Sequence, residues 1–198
     1  MRLYDFLPSG NGYKVRLLLS QLGVRFTLVE KQIFAGETRT PDFLAINPNG
    51  RIPVLELDDG RRLAESDAIL FYLAEGTRFL PADRFARAQV LQWMFFEQYS
   101  HEPYVAVARR LRHMDRKPVP AELTERGYQA LGVMERQLVG RTFFVDDVYS
   151  IADIALYAYT HVADEGGFDV VGYPAVRAWL ARVAAQPGHV PITKRDFA

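Results

Sequence analysis

The sequence contains no cysteine. That absence excludes disulfides, thiolate metal sites, cysteine nucleophiles and CxxC redox chemistry carried by the chain itself. An excess of either charge is also missing: Lys plus Arg and Asp plus Glu each total 24, so the formal net charge is zero. A general nucleic-acid binder or a partner of anionic membranes needs a basic excess, so no nucleic acid and no membrane is expected as a partner. No apolar run approaches the ~18 residues of a membrane span. Residues Met1 to Leu7 carry Asp5 and lack an apolar leader core, and a cytoplasmic protein is expected. The histidines, His101, His113, His161 and His189, show no metal-ligand spacing, so no metal is expected. Phosphate-binding and dinucleotide-binding glycine motifs, internal repeats and low-complexity segments are all missing.

What is present is ordinary for a globular protein: 198 residues, 49% apolar and 24% charged. A chain of this length buries roughly 70% of its unfolded surface and needs no covalent staples.

The first eighty residues alternate strand and helix signals. Arg2 to Leu7 is a short β-type run closed by Pro8-Ser9-Gly10. From Tyr13, apolar residues at Val15, Leu18, Leu19 and Leu22 follow the helical period up to Gly23. Phe26 to Glu30 is a second strand, and Pro41 opens a short helix through Ile46. Asn47-Pro48-Asn49-Gly50 is a turn. Pro53 to Leu57 and Arg61 to Ala64 flank Asp58-Asp59-Gly60 as a hairpin. Ile69, Leu70, Tyr72 and Leu73 mark a helix ending at Gly76.

After Pro81 the pattern is helical. One stretch runs from Arg84 to Met114 with a kink expected at Pro103. Others span Pro120 to Leu138, Ser150 to Ala163 and Val176 to Ala185, interrupted only by the short β-type run Thr142 to Val145. The expected class is α/β plus all-α: a βαβαββα domain over 1–76, a linker over 77–83, and a helical domain over 84–198.

Three motifs sharpen this topology. They are Asn47-Pro48-Asn49-Gly50-Arg51-Ile52-Pro53-Val54-Leu55, Glu65-Ser66-Asp67-Ala68-Ile69-Leu70-Phe71-Tyr72-Leu73-Ala74, and Ser150-Ile151-Ala152-Asp153-Ile154-Ala155. In order and spacing the chain resembles the cytosolic glutathione transferase family over almost its whole length, including a thioredoxin-like N-terminal fold. Each motif also has a local physical reading. An Ile52-Pro53 amide can be cis at modest cost, which serves a tight turn as well as a ligand. Ser66 reads as a helix N-cap, where the free N–H groups also suit an anion. Ser150 and Asp153 read as a capping box flanked by Tyr149 and Ile154, with a purely structural role.

The resemblance implies glutathione as co-substrate. Its cysteinyl backbone is then expected to pair with Ile52 beside Pro53, and its γ-glutamyl carboxylate to sit at Ser66 with Glu65 near its ammonium. Thr38, Arg39 and Arg51 are the candidates for its glycyl carboxylate. The protein's task becomes ionising the glutathione thiol. Moving a thiol pKa from ~8.5 down two units needs about 2.7 kcal/mol. One hydrogen bond to a charged group supplies ~1.5–3 kcal/mol, and a helix N-terminus adds up to ~2. Ser9 and Asn11, at the start of the first helix, are the candidate donors, with the direction of Tyr4 left open. Tyr104, Ala108, Arg109 and Arg112 are candidates for the electrophile pocket. Arg109, Arg112 and Arg116 form a basic cluster that suits either an anionic co-substrate or the end of a helix.

Three functions follow from the resemblance. The leading one is thiolate addition to an electrophile. The others are glutathione-dependent peroxidase or disulfide reductase activity, and a non-catalytic interaction module. A homodimer is implied in each case.

Overall fold

A computed structural model describes residues 1–197. The chain divides into two compact units, one comprising Met1–Glu75 with the chain from Pro187 onward, the other Gly76–Gln186.

In the first unit the order is β1 (Arg2–Asp5), α1 (Gly10–Gln21), β2 (Thr27–Glu30), a 3-10 turn (Ile33–Ala35), α2 (Pro41–Ile46), β3 (Val54–Glu56), β4 (Arg62–Ala64) and α3 (Ser66–Ala74). The strands lie in the order β2-β1-β3-β4, with β1 parallel to β2 and the other neighbours antiparallel. Alternation along β1 gives the sheet two buried faces. Leu3 lies opposite Leu55, and this pair packs with Val15, Leu19, Phe26 and Ile69. Tyr4 lies opposite Val54, on the face covered by Phe43 of α2.

The second unit contains α4 (Arg84–Phe96), α5 (Glu102–Arg109), α6 (Ala121–Leu138), α7 (Ile151–Thr160) and α8 (Pro174–Ala184). The interruption expected at Pro103 takes the form of a π-helical turn over Glu97–His101, immediately ahead of that proline. A second π-helical turn, Arg110–Met114, ends α5. The β-type run Thr142 to Val145 contributes only an isolated bridge between Val145 and Val148.

Two segments depart from the sequence reading. The stretch assigned to a linker includes Phe79 and Leu80, both buried in the second unit. The Phe79 ring meets Tyr149 edge-on, and its carbonyl accepts from the Ile151 N–H at 3.0 Å. The tail from Pro187, assigned to the helical half, packs on the first unit instead. Tyr13 donates to the Val190 carbonyl at 2.7 Å, Ser20 to Gly188 at 2.9 Å, and Phe26 packs against Phe197. Several of the tail's contacts run through its backbone carbonyls, a mode of attachment that leaves no side-chain periodicity to read.

Candidate active site at two helix N-termini

Strand register gathers the site. Tyr4, Val54 and Ala64 form one row across β1, β3 and β4. One residue beyond that row lie Asp5, Pro53 and Glu65, so the loop into α1, the Ile52-Pro53 bond and the start of α3 share one end of the sheet. The Ile52-Pro53 bond is cis.

Ser9 is the N-cap of α1, and its hydroxyl oxygen accepts from the Gly12 N–H at 3.4 Å. The loop before it is held by a fully buried ion pair. The Arg16 guanidinium donates to Asp5 Oδ2 at 2.9 Å, to the Leu7 carbonyl at 2.6 Å and to the Ile192 carbonyl at 2.8 Å. Asp5 Oδ1 accepts from the Phe6 N–H. A Cβ at position 12 would overlap the Asp5 carboxylate, so glycine is required there. Burial drives both partners toward neutrality while their mutual attraction opposes it. The Asp5 carboxyl rises to about 6 and the Arg16 guanidinium moves downward.

Ser66 is the first residue inside α3 and not its N-cap. Glu65 takes the cap position with a left-handed φ of 66° and no side-chain cap bond. A non-glycine residue held there costs about 1–3 kcal/mol, as recurs where backbone is shaped for a ligand. Ser66 is buried and donates to Asn11 Oδ1 at 3.3 Å. That bond joins the first turns of α1 and α3. Beneath it lies Lys14, fully buried, whose ammonium donates to Ser66 Oγ at 3.4 Å and to Asp67 Oδ1 at 3.1 Å.

Other expected ligands flank this junction. Thr38 is buried, and Arg39 donates to the Asn49 carbonyl at 3.0 Å, seating the 36–39 segment on the turn before Ile52. Gly50 has φ 62°, and a Cβ there would strike Arg39 and the Thr38 carbonyl. Arg51 is exposed and joins no ion pair among the described residues. Tyr4 points to the α2 face, where its ring meets Phe43 edge-on and its hydroxyl donates to Glu56 at 3.3 Å.

Residues 1–75 match the glutathione S-transferase N-terminal domain, and residues 92–187 match the C-terminal domain. The chain belongs to the glutathione S-transferase family. A glutathione S-transferase structure from Pseudomonas fluorescens is 53% identical, with a TM-score of 0.94 over 98% of each chain. The disulfide-bond oxidoreductase YfcG of Escherichia coli is 31% identical over 92% of this chain and 89% of its own length. Yeast Ure2p in complex with glutathione is 26% identical, with a TM-score of 0.86 over 94% of this chain and 95% of its own.

On the substrate side of this glutathione S-transferase family member, Arg109 is buried and bonded to Glu165 at 2.5 Å in an internal ion pair. Ala108 is fully buried. Tyr104 is half-buried with the Arg126 guanidinium over its ring, and Arg112 is exposed, its guanidinium against Gly167. Sequence reasoning missed Lys14, Asp5 and Arg16. The available signal was the run Tyr13-Lys14-Val15-Arg16-Leu17-Leu18-Leu19, in which two cations sit in a helix with no polar face.

Proposed function

We propose that the protein binds glutathione along the end of the first sheet and ionises its thiol at the start of α1, for attack on an electrophilic carbon. The observation that carries this reading is the Asn11–Ser66 hydrogen bond, which brings two helix N-termini together beside the cis Ile52-Pro53 bond. Aligned helix N-termini favour anions, and two anionic groups of glutathione need a place, the γ-glutamyl carboxylate and the thiolate. In this assignment Ile52 pairs with the cysteinyl backbone, and the backbone N–H groups of the first turn of α3, at Ser66, receive the γ-glutamyl carboxylate. Glu65 accepts from its ammonium. Thr38, Arg39 and Arg51 border the glycyl carboxylate. The Ser9 hydroxyl and the Asn11 amide donate to the sulfur. Two such donors and a helix end match the ~2.7 kcal/mol that a two-unit depression of the thiol pKa requires.

The test is ultraviolet absorbance of the thiolate during a pH titration of glutathione with the protein. A midpoint at least one unit below that of free glutathione supports the reading; an undisplaced midpoint overturns it.

A second reading, glutathione-dependent disulfide reduction, is favoured by the name of the Escherichia coli relative. It uses the same thiolate, and because the chain has no cysteine, every sulfur in the exchange comes from glutathione or the substrate. Parallel assays with an aryl halide and with a glutathione mixed disulfide separate the two.

A homodimer belongs to the same proposal. Phe85, Phe95 and Tyr99 recur at helical spacing on one side of α4 and the turn after it, 71%, 68% and 84% exposed. Aromatic rings so exposed support a covered face. Phe95→Glu is expected to convert a dimer to a monomer in analytical ultracentrifugation.

A further inference from the structure

We propose that Lys14 is a positioning residue that fixes which edge of the Asn11 amide faces the reacting sulfur, an inference that rests on the glutathione reading above. The argument starts from donor and acceptor inventories. An ammonium has three donors and no acceptor, a hydroxyl has one donor and accepts through its lone pairs, and a primary amide has one donating and one accepting edge. Lys14 Nζ lies 3.4 Å from Ser66 Oγ, so the serine oxygen must accept in that contact. The ammonium has no lone pair to receive the serine proton, so that proton points away from Lys14, and Asn11 Oδ1 accepts it at 3.3 Å. The amide carbonyl is held toward α3, and the –NH₂ edge is turned the opposite way.

Without the ammonium this polarity is lost. A serine hydroxyl flanked by an amide alone can donate to Oδ1 or accept from Nδ2 with similar ease, and both amide orientations become available. Only one of them offers a donor to a thiolate. The other presents a carbonyl oxygen and opposes it.

Three features of the site fit a relay of this kind. Lys14 lies three residues after Asn11, so the two side chains share one face of α1. The ammonium is fully buried, which keeps water from substituting for it. Its charge is balanced by Asp67 in the first turn of α3, 3.1 Å away, so the cation is anchored on the element that carries Ser66. Lys14 thus heads the relay: it donates to Asp67 on one side and to Ser66 on the other, and Ser66 in turn donates to Asn11.

The test is the pH midpoint of thiolate formation by glutathione bound to Lys14→Met, read by ultraviolet absorbance beside the wild type. The expected result is a rise of about half to one pH unit, or roughly three- to tenfold less thiolate at neutral pH, as expected for weakening one hydrogen bond to a charged group. Because Lys14 acts through Asn11, Lys14→Met in an Asn11→Ala background is expected to move the midpoint no further. An unchanged midpoint in the single variant overturns the proposal. So does an equal shift in both backgrounds, which would make Lys14 a direct electrostatic contributor. If the wild-type protein leaves the glutathione midpoint undisplaced, the glutathione reading itself fails and takes this one with it. Should Lys14→Met not fold, Ser66→Ala breaks the relay at its middle with the Lys14–Asp67 pair intact. It is expected to raise the midpoint by a similar amount, and no rise overturns the proposal.

Discussion

Helices α1 and α7 both start at a serine N-cap, Ser9 and Ser150, and each has a fully buried aspartate close by, Asp5 and Asp153. At α7 the aspartate is the third residue of the helix and closes a capping box. Asp153 accepts from the Ser150 N–H at 2.9 Å, from Trp179 Nε1 at 2.8 Å and from the Phe144 N–H at 3.3 Å, while the Ser150 hydroxyl oxygen accepts from Ala152. Every polar atom there is spent, and Ser150 is buried. At α1 the third residue is Gly12, so no box can form. The carboxylate comes instead from the end of β1 and lies where a Gly12 side chain would be. Ser9 is left half-buried with one long cap bond. The same cap residue is thus a closed fastening in one unit and an open donor in the other. What separates them is the residue three positions on.

The largest effect expected from breaking this contrast is at Gly12. Gly12→Ala places a methyl group into the Asp5 carboxylate and must displace a buried ion pair that also holds the Leu7 and Ile192 carbonyls. Breaking such a pair costs about 3–5 kcal/mol, to be read as a fall in unfolding free energy by denaturant titration. Survival of full stability would show that the open cap does not depend on glycine. Next is Asp153→Ala, which strands the Trp179, Ser150 and Phe144 donors and removes the cap carboxylate. A loss of about 2–4 kcal/mol is expected, with no change in the glutathione thiol midpoint of the folded fraction.

The two caps were unequally legible in the sequence. Ser150-Ile151-Ala152-Asp153 announces a capping box because both partners lie within four residues. The arrangement at α1 draws on Asp5, Gly12, Arg16 and the carbonyl of Ile192, and only the sheet register and the returning tail bring these together. The order of strands and helices was readable because apolar periodicity is local. The path of the chain after Pro187 was not, because several of its anchoring bonds go to backbone carbonyls, and every residue has one. Ser66 illustrates the middle case. Its place at the start of α3 was readable, but the cap itself fell to Glu65, whose positive φ no residue type there forecasts.

A difference in pH response follows from the two carboxylates. Burial raises Asp153 to about 6 against an ordinary value of 3.8, with only neutral donors opposing it. A carboxyl that holds its proton more tightly in the folded state than in the unfolded chain stabilises the fold below about pH 4, and that contribution is lost as the pH rises through 6. A shift of about two units corresponds to roughly 3 kcal/mol across that window. Unfolding free energies of wild type and Asp153→Asn at pH 4 and pH 7 are therefore expected to differ in slope by about this amount. Asp5 titrates in the same window but against Arg16, so Asp5→Asn is expected to leave an uncompensated guanidinium and to lower stability more at pH 7 than at pH 4, where the carboxyl already holds its proton.

The smallest stability effect carries the most information about function. Ser150→Ala removes a buried, fully engaged cap and is expected to cost about 1–2 kcal/mol. Ser9→Ala removes a hydroxyl whose cap bond is 3.4 Å long and is expected to cost under about 1 kcal/mol. The order reverses for glutathione. Ser9→Ala is expected to raise the pH midpoint of conjugation by about one unit, the value of one hydrogen bond to a thiolate, while Ser150→Ala leaves it in place. Asn11→Ala in the same assay divides the thiolate's stabilisation between hydroxyl and amide. A midpoint that responds to Asn11 and not to Ser9 would assign the chemistry to the amide alone and leave Ser9, like Ser150, a cap.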